Sequence, residues 1–510
     1  MIALIVISAG IAYFLSLPFA SLLQGSNYRL EVYFRRGGKM ISICACFFLI
    51  FAAITMLVHF LCRGLFHGAF LSLVYVSSGV FTYAMHKKMG LRLTITNRLA
   101  RLLIASIFLY SILFFPLYFL SANHLWAALP MLAPFVLSVA ALLLSPFESI
   151  NNERYLKAAK NKLDQTKALK IAITGSYGKT SVKNDLEQLL SERYETLATP
   201  ANYNTPLGIA KTVEASNGHE EIMILEMGAR RKGDIRELCA LVGPTIGVIT
   251  GIAPQHLETF GSIESILEEK DELARSIPPE NAVYYNLSDD RVRVLYDRRE
   301  GRKVGVGFEE ADRVISDMVI TPNGTSFSLT LGDECLALSA PIYGKAAVIN
   351  LALACVIAFD LGVPADVLCE KIGKIAPTSH RFEVTKSGGV TVIDDSYNIN
   401  PIGAASALSS LETFSAKRRI VYVSGIVELG TATERENRAL GERIAATCDM
   451  AIVSAGKYGD YVVQGILWAQ PSFAVVRVKD TVEATATFRQ LLREGDLLLI
   501  MSDLPRDYLV

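Results

Sequence analysis

Five apolar stretches, at about residues 2–23, 40–62, 69–85, 99–120 and 123–144, fill most of the first 150 positions and leave that part of the chain few folds to adopt. Each approaches the ~20 residues that cross a hydrocarbon core. A backbone in lipid has to satisfy its own hydrogen bonds, so uniform segments of this length form helices. An all-α transmembrane bundle of about five helices is therefore predicted for residues 1–150. The first stretch has no basic leader and no small-residue cleavage site before Gln24, and it reads as a retained span. Arg29, Arg35, Arg36 and Lys39 follow the first stretch and Lys87, Lys88, Arg92, Arg98 and Arg101 follow the third, whereas the other connections hold only Arg63 or no base. Basic loops remain cytoplasmic, which puts the N-terminus outside and everything after Pro146 inside. No acid interrupts the stretches, so the bundle reads as an anchor or a platform for lipid, not as an ion pathway. His59, His67 and His124, near the ends of the stretches, read as interfacial groups.

The rest of the 510-residue chain is far more polar, since the mean hydropathy of +0.34 is reached with 20% charged residues. Fifty basic and fifty acidic residues balance, so no overall field recruits nucleic acid. The eight cysteines are scattered, with Cys44, Cys46 and Cys62 in apolar stretches, and are expected as reduced thiols rather than a disulfide or zinc framework. After a lysine-rich connector, Lys170-Ile-Ala-Ile-Thr174 has the make-up of a buried parallel strand. It runs into Gly175-Ser-Tyr-Gly178-Lys179-Thr180-Ser181 and then into a helical pattern through Leu190. Strand, glycine turn and helix direct backbone N–H groups at phosphate. Lys179 would neutralise the β- and γ-phosphates of ATP, and the Thr180 hydroxyl would reach Mg2+. The usual spacing of such loops asks for a further glycine where this chain has Ile173.

Other motifs follow in order. Thr199-Pro-Ala-Asn-Tyr-Asn-Thr-Pro-Leu-Gly208 is an asparagine-rich loop, and Ile222-Met-Ile-Leu-Glu226 is an apolar run ending in an acid. His256 stands between Gly251 and Gly261, Glu269-Lys270 comes soon after, and Ile393-Asp394-Asp395-Ser-Tyr397-Asn398-Ile-Asn400-Pro401 and Val427-Glu428-Leu-Gly430 lie further on. Together with the shortened glycine turn, these resemble the Mur ligase family over about residues 168–500, and within it the branch that adds D-alanyl-D-alanine to a muramoyl tripeptide.

After the transmembrane domain (1–150) read from the apolar stretches, the resemblance implies an α/β P-loop central domain (151–376) and a smaller Rossmann-like α/β domain (377–510), hence a multi-domain chain. It implies an ADP-forming amide ligase of peptidoglycan precursors that works through an acyl phosphate. Gly175, Gly178, Lys179, Thr180, Ser181, Asn350, Arg381 and Asp395 would hold ATP, with Asn350 at the adenine end, Arg381 on phosphate and Asp395 on ribose. Thr180, Glu226, His256 and Lys270 would hold Mg2+, with Lys270 carbamylated, and Lys179, His256 and Lys270 would carry catalysis. Tyr397, Asn398 and the asparagine loop are weaker candidates for the peptide. By charge pattern alone, Glu268-Glu269-Lys270-Asp271-Glu272 is a solvated helix face.

Three departures bear on the substrate. The family's UDP-gripping N-terminal domain has no counterpart, so the acceptor could be UDP-linked or lipid-linked. Ala346 and Ala347 occupy positions that are histidine and asparagine in relatives, which would alter adenine contacts. The end of the chain, Met501-Ser-Asp503-Leu-Pro-Arg506, lacks the branch's lysine-glycine-serine-arginine element, which leaves the amine, an amino acid or a dipeptide, open. An amidating or glutamate-adding ligase and a nucleotide-binding membrane scaffold remain alternatives.

Overall fold

The computed structural model describes residues 2–26, 28–61, 73, 76–85, 93–119, 128–201, 203–321, 323–397 and 399–502. It divides into two compact units, Met1–Arg154 and Tyr155–Val510.

In the first unit, helices run over Ile2–Gly25, Leu30–Leu61 and Asn97–Phe119, and a further helix, Ala133–Gln165, begins there and ends past the boundary at Arg154. Four described segments, Ile7–Gly25, Leu30–Leu57, Asn97–Pro116 and Leu129–Gln165, are long and apolar enough to cross a membrane. They correspond to four of the five predicted stretches. The remaining one, 69–85, is described at residue 73 and over 76–85, which are helical, whereas Arg63, His67, Lys87, Lys88, Arg92, His124 and the side chain of His59 lie outside the described residues. Leu15, Phe19, Leu23, Tyr33, Leu102, Met131 and Leu137 close a core. Ile50, Leu57, Ile104, Phe108, Phe115 and Leu143 point outward, giving the apolar exterior that suits lipid. Ser16, Thr55, Thr82 and Ser138 return their hydroxyl protons to carbonyls one turn back, so these four hydroxyls are satisfied within their own helices. Among the described residues of this unit Glu148 is the one buried charge: it accepts two bonds from Arg101 (2.7 and 3.0 Å), and Arg98 lies over the Tyr28 ring at 4.0 Å.

The second unit is built on two sheets. The larger comprises β1 (Leu169–Thr174), β2 (Thr196–Ala198), β3 (Ile222–Glu226), β4 (Ile246–Ile249), β5 (Val283–Asn286), β6 (Lys303–Gly307), β7 (Arg313–Thr321), β8 (Gly324–Leu331) and β9 (Glu334–Ala340) in the order β2-β3-β1-β4-β5-β6-β7-β8-β9. β1 to β6 pair in parallel. The Ile and Val runs of β1, β3 and β4 are buried on both faces, as a parallel sheet with helices on either side requires. The antiparallel extension β7–β9 has no counterpart in the sequence reading. The helix Lys345–Asp360 is apolar all round and accordingly packs in the core of this layer. Chain direction reverses between β1 and β4, since β1 leads to β2 on one side and β4 to β5 on the other. Crevices at such a reversal, beyond the C-terminal strand ends, are where open α/β sheets bind ligands.

The smaller sheet contains β10 (Glu383–Ser387), β11 (Val390–Asp394), β12 (Arg418–Val423), β13 (Met450–Ser454), β14 (Ala474–Val478) and β15 (Asp496–Met501), ordered β10-β11-β15-β12-β13-β14. Only β10 is antiparallel. The seven described cysteines are all free, in keeping with the reduced-thiol expectation.

Candidate active site

The glycine turn leaves β1 at the reversal point. Gly178 adopts φ +81° and precedes the helix Lys179–Leu190, so the first free N–H groups of that helix face the turn. Ser181 lies on the first turn of the helix. A Cβ on Gly175 would collide with the Thr250 hydroxyl, and one on Gly178 would stand 2.6 Å from Asn350 Oδ1; both positions are held to glycine by their neighbours. The Lys179 ammonium donates to Gly175 O (2.7 Å), which leaves two of its three protons available. Burial pulls its pKa down, Glu226 opposes that effect and Arg381 adds to it.

Glu226 ends β3 beside this turn. Its carboxylate accepts from the Thr180 hydroxyl (2.9 Å) and the Asn204 amide (3.0 Å), and its N–H donates to Thr199 Oγ1 (3.0 Å). Lys183, also buried, donates to Thr199 O (2.6 Å) and Ala201 O (3.2 Å) and so holds the asparagine-rich loop over Glu226. Glu269, Lys270 and Asp271 are buried on the helix Ile263–Ser276, contrary to the solvated face suggested by charge pattern alone. The reason is tertiary. Glu269 accepts from Gly233 N and Ile235 N (2.7 Å each), capping the neighbouring helix Asp234–Val242, and this draws Lys270 inward. Burial and repulsion from Lys179 bring the Lys270 pKa down to about 7 against the pull of Glu269, Asp234 and Glu226.

His256 follows β4 in a left-handed conformation, φ +52°, and its Nδ1 contacts the Glu428 carboxylate. Arg381 lies over the Tyr397 ring at 4.2 Å, and its Nε is buried with no partner among the described residues. Asp395 accepts from Phe382 N (3.2 Å); burial raises its pKa to about 7 against the attraction of Arg381. The charges of Lys179, Glu226, Lys270 and Arg381 thus act on one another from both sheets.

Residues 173–358 match the Mur ligase middle domain, and residues 380–504 match the Mur ligase glutamate ligase domain. The chain is 32% identical over 357 residues to the UDP-N-acetylmuramoyl-tripeptide–D-alanyl-D-alanine ligase of Mycobacterium tuberculosis (strain ATCC 25618 / H37Rv), covering 65% of this chain and 69% of that one. With the enzyme of the same name from Bacillus subtilis (strain 168), identity is 26% over 343 residues, 67% of this chain and 74% of the relative. The chain belongs to the Mur ligase family. The fold agrees: the MurF ligase from Thermotoga maritima in complex with ADP superposes with a TM-score of 0.63 at 24% identity, covering 70% of this chain and 81% of that one.

This Mur ligase has a second opening, a cavity of about 360 Å3 beyond the phosphate turn, lined among others by Tyr177, Phe308, Lys345, Ala346, Ile402 and Ser406. Ala346, one of the two departures at this helix start, lies on its wall. Asn350, expected at the adenine end, lies against Gly178. It follows Ile349, which lines the same cavity. Its buried Oδ1 has no partner among the described residues, so its amide is a group prepared for a ligand. Oxygen donors suit Mg2+, and the Glu226 carboxylate, with about four lone-pair sites and two donors engaged, retains capacity for one. Asn398, Asp503 and Arg506 lie outside the described residues.

Sequence reasoning missed Lys183, although its place one helical turn after Lys179 puts both on one face. It also missed Tyr177, whose hydroxyl donates to Asp289 (2.7 Å) while Asp289 accepts from Ile252 N (2.8 Å), bracing the glycine turn against the segment after β4.

Proposed function

We propose that this Mur ligase is a membrane-anchored, ATP-dependent amide ligase of peptidoglycan precursor synthesis. The convergence of Lys179, Thr180, Glu226 and Lys270 beyond the parallel strands, with Arg381 and Asp395 facing them from the smaller sheet, carries the reading. A precursor carboxylate oxygen attacks the γ-phosphorus of ATP and ADP departs, leaving an acyl phosphate. The amine nitrogen of an amino acid or dipeptide then attacks the acyl carbon, phosphate leaves and the nitrogen gives up a proton.

In this reading Lys179 and Arg381 bind the triphosphate at the turn formed by Gly175, Gly178, Thr180 and Ser181. The base enters the cavity beside Ala346, and Asp395 takes the ribose. Asn350 takes the adenine end. Thr180, Glu226, His256 and carbamylated Lys270 would hold Mg2+, which supplies charge neutralisation on the transferring phosphoryl group. The asparagine loop over Glu226 faces the peptide. Residues 1–150 anchor the chain, 151–376 bind nucleotide and 377–510 close on it.

Arg98 and Arg101, paired with Tyr28 and Glu148, support a cytoplasmic edge at that end of the bundle, hence a multi-pass protein with its N-terminus outside and its catalytic domains inside. The relatives carry UDP-N-acetylmuramoyl-tripeptide in their name; in this chain, membrane spans ahead of the family domains favour a lipid-linked acceptor.

The test offers detergent-solubilised protein UDP-linked and lipid-linked muropeptides with several amines. ADP and phosphate should be released only when acceptor and amine are both present, and Lys179→Ala should reduce this by about 10³-fold or more, as loss of a charge-stabilising donor does. ATP turnover indifferent to both substrates would refute the ligase reading. Nucleotide binding with no turnover under any combination would favour the scaffold.

A further inference from the structure

Eight described non-glycine residues have left-handed backbone, and two of them grip each other across the active site. His256 (φ +52°) follows β4 of the larger sheet, and Glu428 (φ +62°) follows β12 of the smaller one. The Leu257 N–H donates to the Glu428 carbonyl at 3.0 Å, while the Glu428 carboxylate meets Nδ1 of His256. Gly430 lies against Leu257 and Glu258, so the two segments are matched in backbone as well as side chain. Unfavourable φ values persist where the surroundings over-determine them, and they cluster at functional sites.

The imidazole has two distinct nitrogens, and the bond made by one decides what the other can do. A carboxylate at Nδ1 keeps the proton there, which leaves Nε2 with its lone pair. That is the form a divalent cation binds, and a carboxylate behind the ring both orients it and makes it more basic. Among the described residues no group bonds Nε2 of His256.

We infer that Glu428 is a positioning residue for the divalent-cation site: it presents Nε2 of His256 to the metal, so that cation affinity depends on the smaller sheet being seated against the larger. The inference rests on the proposed metal role of His256. Glu428 reaches the ion only through the ring, so its contribution vanishes when the ring is removed.

The experiment measures Mn2+ binding to the full-length detergent-solubilised protein in the presence of ADP, by electron paramagnetic resonance, for wild type, Glu428→Gln, His256→Ala and the double variant. Gln keeps the size of the side chain and leaves the Leu257 bond to the carbonyl in place, so the melting temperature should stay at its wild-type value. Glu428→Gln should weaken Mn2+ binding about 10-fold, within the range found for groups that orient metal-bound histidines. His256→Ala should weaken it at least as much, and the double variant should match His256→Ala. In turnover, Glu428→Gln should raise the Mg2+ concentration needed for half-maximal rate and recover the wild-type kcat at saturation. Unchanged Mn2+ affinity in Glu428→Gln, or an equal further loss when it is added to His256→Ala, overturns the inference. A wild-type protein that binds no Mn2+ with ADP overturns the metal reading itself, and the inference with it.

Discussion

The two sheets of the catalytic unit hold their polar groups by different means. At the C-terminal ends of the larger sheet several groups are braced more than once: Glu226 by Thr180, Asn204 and Thr199, Lys183 by two carbonyls, and Glu269 by two N–H groups. The groups contributed by the smaller sheet stand in or beside left-handed backbone, at His380 (φ +61°), Phe382 (φ +51°) and Glu428 (φ +62°). Bracing suits groups that must be in place before substrate arrives, because preorganised charge costs nothing to reorient during reaction. Strained loops suit groups that take their final position as one layer meets the other. Substitutions among the braced groups beyond the larger sheet should therefore depress chemistry, and those on the smaller sheet, together with its partner His256, should depress nucleotide or metal affinity.

Lys270 provides the strongest way to break this contrast. Its pKa of about 7, against 10.5 for an ordinary lysine, means that the neutral amine, scarce on a normal lysine at neutral pH, is abundant here. Neutral amine is the form that combines with CO2, giving a carbamate and a proton. With 13C-labelled bicarbonate, a carbamate resonance should grow as pH rises through about 7 and be missing in Lys270→Ala. Turnover in that variant should fall by about 10²-fold or more, the scale set by removing one charge-stabilising group. A Lys270→Ala enzyme with normal kcat and raised KM would place this lysine with the closing groups and end the distinction.

Asp395 tests the other side with a smaller effect. Burial holds its carboxyl at a pKa of about 7, so the charged form gains ground as pH rises through that value. If the carboxylate accepts from the nucleotide, ATP should bind more tightly from pH 6 to pH 8, and Asp395→Asn should bind more weakly and lose this dependence. A hydrogen bond to a charged group contributes about 1.5–3 kcal/mol, or roughly 10–100-fold in KM for ATP, with kcat at saturation nearly unchanged. A fall in kcat with KM intact would mean that Asp395 acts in the chemical step.

How much of this was readable in the residue order follows from how local each feature is. The phosphate turn is one contiguous strand, turn and helix, and Lys170 to Leu190 carry all its signals. The helix Lys345–Asp360 is equally plain, since no polar stripe interrupts it. Lys270 is different: its neighbours have the i,i+4 charge spacing of a solvated face, and only the cap that Glu269 makes on the helix Asp234–Val242, over thirty positions away, turns that face inward. Glu428 could be quoted as part of a motif, but its partner His256 is 172 positions away, a pairing that no periodicity reports. The role of Lys183 emerges only once Thr199 and Ala201 are folded back over the helix.

The smallest expected effect concerns Asp185, on the same helix as Lys179 and Lys183 but outside the braced set. It is buried, and desolvation raises its pKa from 3.8 to about 8. A raised acid pKa means that the folded chain holds a proton the unfolded chain releases. The resulting penalty is absent below pH 3.8, grows between pH 3.8 and 8, and is constant above that. Asp185→Asn, which cannot ionise, should leave stability unchanged near pH 4 and raise it by on the order of 1 kcal/mol or more near pH 8. The melting temperature of the solubilised chain across that range measures the difference, and turnover should stay at the wild-type level because no substrate-facing group bonds this carboxyl. A variant that melts lower at pH 8 than the parent would show that Asp185 is anchored as firmly as Glu226, so that bracing extends along the whole helix instead of ending at the groups that face the triphosphate.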